Sequence, residues 1–314
     1  MIIHFDTDSS KVTLLQQQND KKSFVVDFLY KRNVNENKFN FPSIIEKVCA
    51  EKEIVKILKK EANTVVLPND FVCIDTLTVP YEKRDTRRYM LSKFDLLYGG
   101  KDKFVLKDEM FSKNRNVATF LLYIAKSEIV SQIVKTFERF GVKIKNISFE
   151  ASVLAESILP ESKQFAKQNF LVVKIGKQIF EFVVLIKGRI FAHDKVSFES
   201  NELSKKYAKY VKANYKKLSD NTSVNEKEIE KIRVNLQKND KTDLLPTFIE
   251  DLKEFYRKSD FSIEFDNVII LDENNLIKNV TFGTKMDLDK NRTMYCTGKN
   301  YFIERKKGFW VWQK

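Results

Sequence analysis

Strand-length apolar runs and helix-period stripes alternate along this chain, and their order sets the first expectations. Residues 2–5 are apolar, residues 6–10 (Asp-Thr-Asp-Ser-Ser) form a polar turn, and residues 12–15 resume a β-rich run. Residues 24–30 read as the third strand of a meander. Pro42 opens a helix, Ser43 and Glu46 have capping-box spacing, and Ile44, Ile45, Val48, Val55 and Leu58 give that helix one buried stripe. Strands are expected at 64–67 and 71–79, with a turn at Pro68-Asn69-Asp70 between them.

From Tyr81 the texture changes. A charged helix over 82–97, strands at 104–106 and 117–125, a helix from Ser127 and a strand at 142–147 form an α+β unit. In the Ser127 helix, Ile129, Val130, Ile133, Val134, Phe137 and Phe140 make the apolar face, and Gly141 takes the position just past its end. A small apolar helix follows over 150–158.

The second half opens as the first did. Residues 170–173 are a strand, 174–177 (Lys-Ile-Gly-Lys) a turn and 179–186 a strand. Lys187-Gly188 is a hairpin turn, and 189–196 the third strand. Aligning the two openings sets Asp6 opposite Lys174 and Asp8 opposite Gly176, a weak internal repeat. Helices are expected over 203–218, 226–237 and 244–255, with strands at 265–271 and in the tail, 301–312.

Composition narrows the class. The 314 residues are 43% hydrophobic with 26 Phe, which supplies an ordered core, and only 8 Gly and 5 Pro exclude collagenous and low-complexity classes. No apolar run approaches the ~20 residues of a membrane span. No secretory h-region follows Met1, so a cytoplasmic protein is expected. Cys49, Cys73 and Cys296 lack CxxC spacing and are expected as reduced core residues. The net charge of +13 is spread along the chain and is densest in 204–217. No zinc-finger or RNP signature accompanies it, so nucleic acid is disfavoured as a partner.

Two halves, each headed by strand, polar turn and strand, resemble the actin-like ATPase plan. Val65-Val66-Leu67-Pro68 through Val79-Pro80, Tyr123 through Val130, and Phe140-Gly141-Val142 through Ala151 are similar to stretches of the PilM family of type IV pilus assembly proteins. Residues 171–196, with Gly188 in the hairpin and Asp194, resemble that family's second meander. The likeness covers most of 1–200 and fades beyond. FtsA and the cytoplasmic domain of GspL share the plan. It implies an α/β, two-domain actin-like (ribonuclease-H-like) fold. Domain I would be 1–160, with a small α+β insertion at about 78–148, and domain II would be 161–314.

The family's nucleotide site uses an Asp-x-Gly turn in each half. Glycine lets amides close on phosphates, and carboxylates hold magnesium and its waters. The matching positions here are Asp6, Asp8, Ser9, Ser10 and Lys11 in the first turn, and Lys174, Gly176 and Lys177 in the second. Asp8 replaces the first glycine, Lys174 replaces the second carboxylate, and Asp272-Glu273-Asn274-Asn275 stands where a glycine-bearing adenosine turn should fall. Three departures together argue against ATP hydrolysis and for a chain with no cofactor. The alternatives are a metal-free phosphate site using Lys174 and Lys177, and a charge pair of Asp6 or Asp8 with Lys174 across the cleft.

The resemblance implies a scaffold of a type IV pilus, competence or type II secretion system, peripheral at the inner membrane through its partners. Those partners would be the cytoplasmic N-terminal segment of a bitopic membrane protein and the assembly ATPase. The other readings are a nucleotide-regulated ATPase that polymerises, with ATP and magnesium as cofactors, and a nucleic-acid-binding protein. Lys83, Arg84, Arg87 and Arg88 form a basic patch that is either a solvated face or a dock for an acidic segment. His4 and His193 lack metal-ligand spacing and are expected as structural residues. Trp310 and Trp312 are expected to seal a sheet edge. No nucleophile elbow or P-loop occurs.

Overall fold

The computed structural model describes residues 1–6, 11–15, 23–27, 40–158, 167–175, 179–197, 241–272, 284–285, 303–306 and 309–312. The chain divides into two compact units, Met1–Ile158 with Asp289–Lys314, and Leu159–Leu288.

The first unit is built on a sheet whose order is β15-β14-β8-β4-β1-β2-β3. Strands β1 (Ile2–Asp6), β2 (Lys11–Leu15) and β3 (Ser23–Asp27) form the expected antiparallel meander. β4 (Asn63–Leu67) runs parallel to β1, and β8 (Ile144–Phe149) parallel to β4. β4 is buried along its whole length, as a central parallel strand must be: Val65–Leu67 are apolar, and the buried Asn63 side chain donates to Leu58 O and Lys143 O.

Helices cover this sheet on both faces. Phe5 of β1 meets Phe41 of α1 (Phe41–Ala50) edge to face at 5.3 Å. Ile2, Leu15 and Val66 cluster with Val153 of α5 (Glu150–Ile158). Successive β1 side chains thus alternate between two helical layers. The helix expected from Pro42 through Leu58 is instead two, α1 and α2 (Lys52–Lys60), because the backbone at Glu51 is extended. Its cap is Asn40 and not Ser43: Asn40 Oδ1 accepts from the Ser43 N–H at 3.1 Å. α4 (Ser127–Arg139) ends as its sequence predicts. Gly141 sits at φ 73°, its N–H donates to Glu138 O, and the Val142 N–H donates to Phe137 O, the pairing of a Schellman motif.

A separate three-stranded antiparallel sheet, β5-β7-β6, consists of β5 (Val72–Pro80), β6 (Phe104–Lys113) and β7 (Val117–Lys126). Leu77, Val79, Ala118, Phe120, Leu122 and Ile124 pack beneath Met90 and Phe94 of α3 (Thr86–Tyr98). The insertion therefore comprises β5, α3, β6 and β7. The expected span of 78–148 is corrected at both ends. β5 belongs to the insertion from Val72, while α4 packs on α1 and β8 lies in the main sheet.

The second unit has a sheet in the order β11-β10-β9-β12-β13. β9 (Asn169–Ile175), β10 (Ile179–Ile186) and β11 (Arg189–Ser197) are the antiparallel meander, and β12 (Asn267–Leu271) and β13 (Thr284–Lys285) add in parallel. Lys187 and Gly188 both take positive φ, as a two-residue hairpin turn requires. α6 (Lys241–Lys258) lies on this sheet, with Phe248 against Phe180 at 4.8 Å. A bulge between Val184 and Leu185 leaves Phe191 as the extra residue of β11, which meets Tyr256 and Phe261. The helices expected over 203–218 and 226–237 lie outside the described residues.

The order and strand directions of β3-β2-β1-β4-β8 repeat in β11-β10-β9-β12-β13, so the weak sequence repeat is a doubled fold. The tail corrects the domain boundary. β14 (Ile303–Lys306) and β15 (Phe309–Trp312) pair antiparallel, and β14 pairs with β8, so 289–314 joins the first unit and not the second. Trp310 and Trp312 lie on β15, the edge strand of that sheet.

Candidate functional site

Strands β1, β4 and β8 run parallel, so their carboxyl ends line one edge of the first sheet, the edge where open α/β sheets gather ligand-binding groups. Three polar residues of that edge contact one another. Asn69 follows β4 and is buried, Glu150 opens α5, and His4 lies on β1. The Asn69 N–H donates to Glu150 Oε2 at 3.1 Å, and Asn69 Oδ1 accepts from the Ala151 N–H at 2.8 Å. Asn69 therefore caps α5 from a neighbouring strand end, and Glu150 stands in its first turn, where the helix dipole favours a carboxylate.

His4 Nε2 lies 3.4 Å from Glu150 Oε1, close enough for an ion pair when the imidazole is protonated, yet without the direction of a hydrogen bond. Next to this group Ser148 and Ser152 exchange a hydroxyl hydrogen bond of 2.7 Å, and Ser152 Oγ also donates to Phe149 O. The reading of His4 as a structural residue missed this contact. Glu150 and Asn69 drew no functional reading at all, although their places at a strand-to-helix return and a post-strand turn were visible.

The expected loop residues divide between strands and undescribed turns. Asp6 is the last residue of β1 and pairs in register with Lys11, the first of β2, which in turn pairs with Asp27. Asp8, Ser9 and Ser10 lie outside the described residues, as do Gly176 and Lys177. Lys174 is a strand residue and not a turn residue. It stands opposite Glu181 of β10, which stands opposite Lys195 of β11. Glu181 is 6% and Lys195 7% exposed, so two buried opposite charges face each other in the meander, with the half-buried Lys174 on the other side of Glu181. The corresponding rung of the first unit, Asp6–Lys11–Asp27, has the opposite signs. Asp272, buried, directly follows β12; the rest of the expected adenosine turn lies outside the described residues.

The basic patch is partly neutralised. Arg87 grips Asp108 with both Nε (3.1 Å) and Nη2 (2.9 Å), and this pairing holds the guanidinium pKa above its usual value. Arg88 approaches Asp85 at 3.5 Å and lies over the Tyr89 ring. Lys83 and Arg84, in the turn before α3, are exposed and make no ion pair among the described residues. His193 lies on β11 opposite Val183. Among the described residues no three potential metal ligands gather, and no helix is long and apolar enough to cross a membrane. Cys49 is buried in α1 as expected, whereas Cys73 is exposed on β5; Cys296 lies outside the described residues.

No family model and no curated protein matches the sequence. Solved structures do. The PilM–PilN type IV pilus biogenesis complex matches with a TM-score of 0.53 at 12% identity, over 86% of this chain and 80% of that one. This chain has an actin-like fold of the PilM type. The cytoplasmic domain of EpsL, an inner-membrane component of the Vibrio cholerae type II secretion system, matches over 76% of this chain and 94% of that one. Its TM-score is 0.42 at 11% identity. MreB5 of Spiroplasma citri bound to AMPPNP matches at 0.37 and 10% identity over 95% and 94% of the two chains.

Proposed function

We propose that this chain is a non-hydrolysing scaffold of a type IV pilus or related secretion assembly, which docks the cytoplasmic segment of a membrane protein. The observation that carries the reading is the fold: a doubled five-strand order with a three-stranded insertion, similar to the PilM of a PilM–PilN complex. The second partner proposed is the assembly ATPase, and the chain sits at the inner membrane through these partners.

The strand-end chemistry supports a site that takes no magnesium nucleotide. Asp8 stands where phosphate-binding turns need glycine, and a Cβ with a negative charge would meet the phosphates there. Lys174 stands beside Glu181, so its charge is balanced within its own sheet and does not complete a carboxylate pair for magnesium. The carboxylate of Glu150 is held by the Asn69 N–H and lies near His4. By sequence, the first turn lacks the glycine and the second lacks the carboxylate of an Asp-x-Gly phosphate turn.

Affinity purification of the full chain from its own cells tests the reading. A membrane protein with a single span and a short cytoplasmic segment should be recovered, and a synthetic peptide of that segment should bind the purified chain. Recovery of nucleic acid alone, or filaments that form only with ATP, would contradict it.

A further inference from the structure

Two large apolar side chains stand in water at the end of α3: Leu96 is 85% and Leu97 62% exposed, the highest values of any large apolar residue described. The side of α3 that packs on the insertion sheet is already supplied by Met90 and Phe94, so these leucines add nothing to the core. They are also held rigidly. Tyr98 stacks on Phe94 at 4.6 Å, its hydroxyl donates to Asp75, and the helix ends at Gly99 in the left-handed conformation. The helix end that carries the two leucines is thus tied to the insertion sheet.

The surroundings are basic. Lys93, one turn before Leu97, is exposed and donates to Thr78 O at 2.9 Å, while Lys103, beside Gly99, is exposed; neither makes an ion pair among the described residues. Arg88 and Ser92 lie on the exposed stripe that leads to Leu96 at helical spacing. From Lys83 to Lys103 cations outnumber carboxylates, in a chain of net charge +13.

Leucines this exposed project into solvent. A protein partner would have to supply a pocket for them, whereas a bilayer receives projecting apolar groups anywhere along its surface. Cations beside apolar anchors match anionic headgroups at the interface.

We infer that the end of α3 is a membrane-contact point, with Leu96 and Leu97 entering the interfacial region and Lys93 and Lys103 meeting anionic lipid headgroups. The inference stands apart from the scaffold reading, because it places the chain on lipid directly and needs no protein partner.

Vesicle co-sedimentation of the full chain tests it. Binding is expected to phosphatidylglycerol/phosphatidylethanolamine vesicles and not to phosphatidylcholine vesicles. Leu96→Ser with Leu97→Ser should lower the partition coefficient about tenfold or more. Lys93→Glu with Lys103→Glu should lower it by about tenfold and weaken its salt dependence. The leucine variant should keep the parent's thermal midpoint, since both leucines are exposed; the lysine variant gives up the Lys93–Thr78 hydrogen bond and is compared at a temperature where both proteins are folded. Failure to bind anionic vesicles, or equal binding by the leucine variant, overturns the inference. A leucine variant that loses self-association while vesicle binding persists also overturns it, and assigns the patch to a second copy of the chain.

Discussion

Asn69 and Glu150, 81 residues apart in sequence, brace each other: the amide of one donates to the carboxylate of the other, and the Asn69 side chain caps the helix that Glu150 begins. The pair ties the turn after β4 to the start of α5 across the carboxyl ends of the parallel strands. Asn69→Ala should cost about 1–2 kcal/mol, since it leaves the Ala151 N–H without its acceptor in a buried place. Asn69→Asp keeps the acceptor and should lose less. Urea unfolding of both variants checks the order, and equal losses would show that the cap oxygen contributes nothing.

The insertion has its own clamp in Arg87 and Asp108, which join α3 to β6 through two hydrogen bonds. Arg87 remains largely open to water, so the pair should be worth only about 0.5–1 kcal/mol in a double-mutant cycle with Arg87→Ala and Asp108→Ala. Phe94→Ala, in the core beneath the same helix, should cost about 3–5 kcal/mol. A clamp larger than the core deletion would reverse this ranking.

The rung Lys174–Glu181–Lys195, of which Glu181 and Lys195 are buried, yields a third test. Glu181→Ala removes the one anion between two cations and should destabilise the second unit by about 3 kcal/mol or more. Glu181→Leu combined with Lys195→Met, which removes the buried charges together, should recover most of that loss. A double variant as unstable as the single one would rule out charge as the cause.

Cysteine chemistry separates the two described thiols. Burial pushes the Cys49 pKa up from an ordinary value of 9.0 to about 11, while Cys73 is raised by burial and by the nearby Asp75. At pH 8 only about a thousandth of Cys49 is thiolate, so native alkylation should be slow there and faster at the exposed Cys73. Because the folded state holds the Cys49 proton more tightly, its contribution to stability is intact below pH 9 and is lost as pH rises from 9 to 11. Mass-spectrometric labelling rates and unfolding across that range check both statements.

Much of the fold was legible because local chemistry punctuates it. The β-meanders, the Lys187-Gly188 hairpin and the Gly141 helix end each rest on residues adjacent in sequence, where period and φ preference act. Long-range choices were not legible. Nothing in 303–312 states that β14 would extend the first sheet beside β8, because an edge strand pairs through backbone groups that every sequence supplies. The break at Glu51 was hidden by an apolar stripe that continues in phase through both α1 and α2. At the candidate site, Asp6 and Lys174 were found through a repeat, but the strand partners Lys11 and Glu181 emerged only with the register. Asn69 and Glu150 read as an ordinary turn residue and an ordinary helix start until the fold brought them together.

Calorimetric titration of ATP into the full chain, with and without magnesium, tests the central claim most directly. The account predicts no heat of binding at protein concentrations able to reveal a Kd of about 100 μM, a binding free energy near −5.5 kcal/mol. Magnesium-dependent binding in the micromolar range would contradict it and make the chain a nucleotide-switched assembly factor. Binding that ignores magnesium would contradict it too, and would give the phosphates to Lys174 and Lys177.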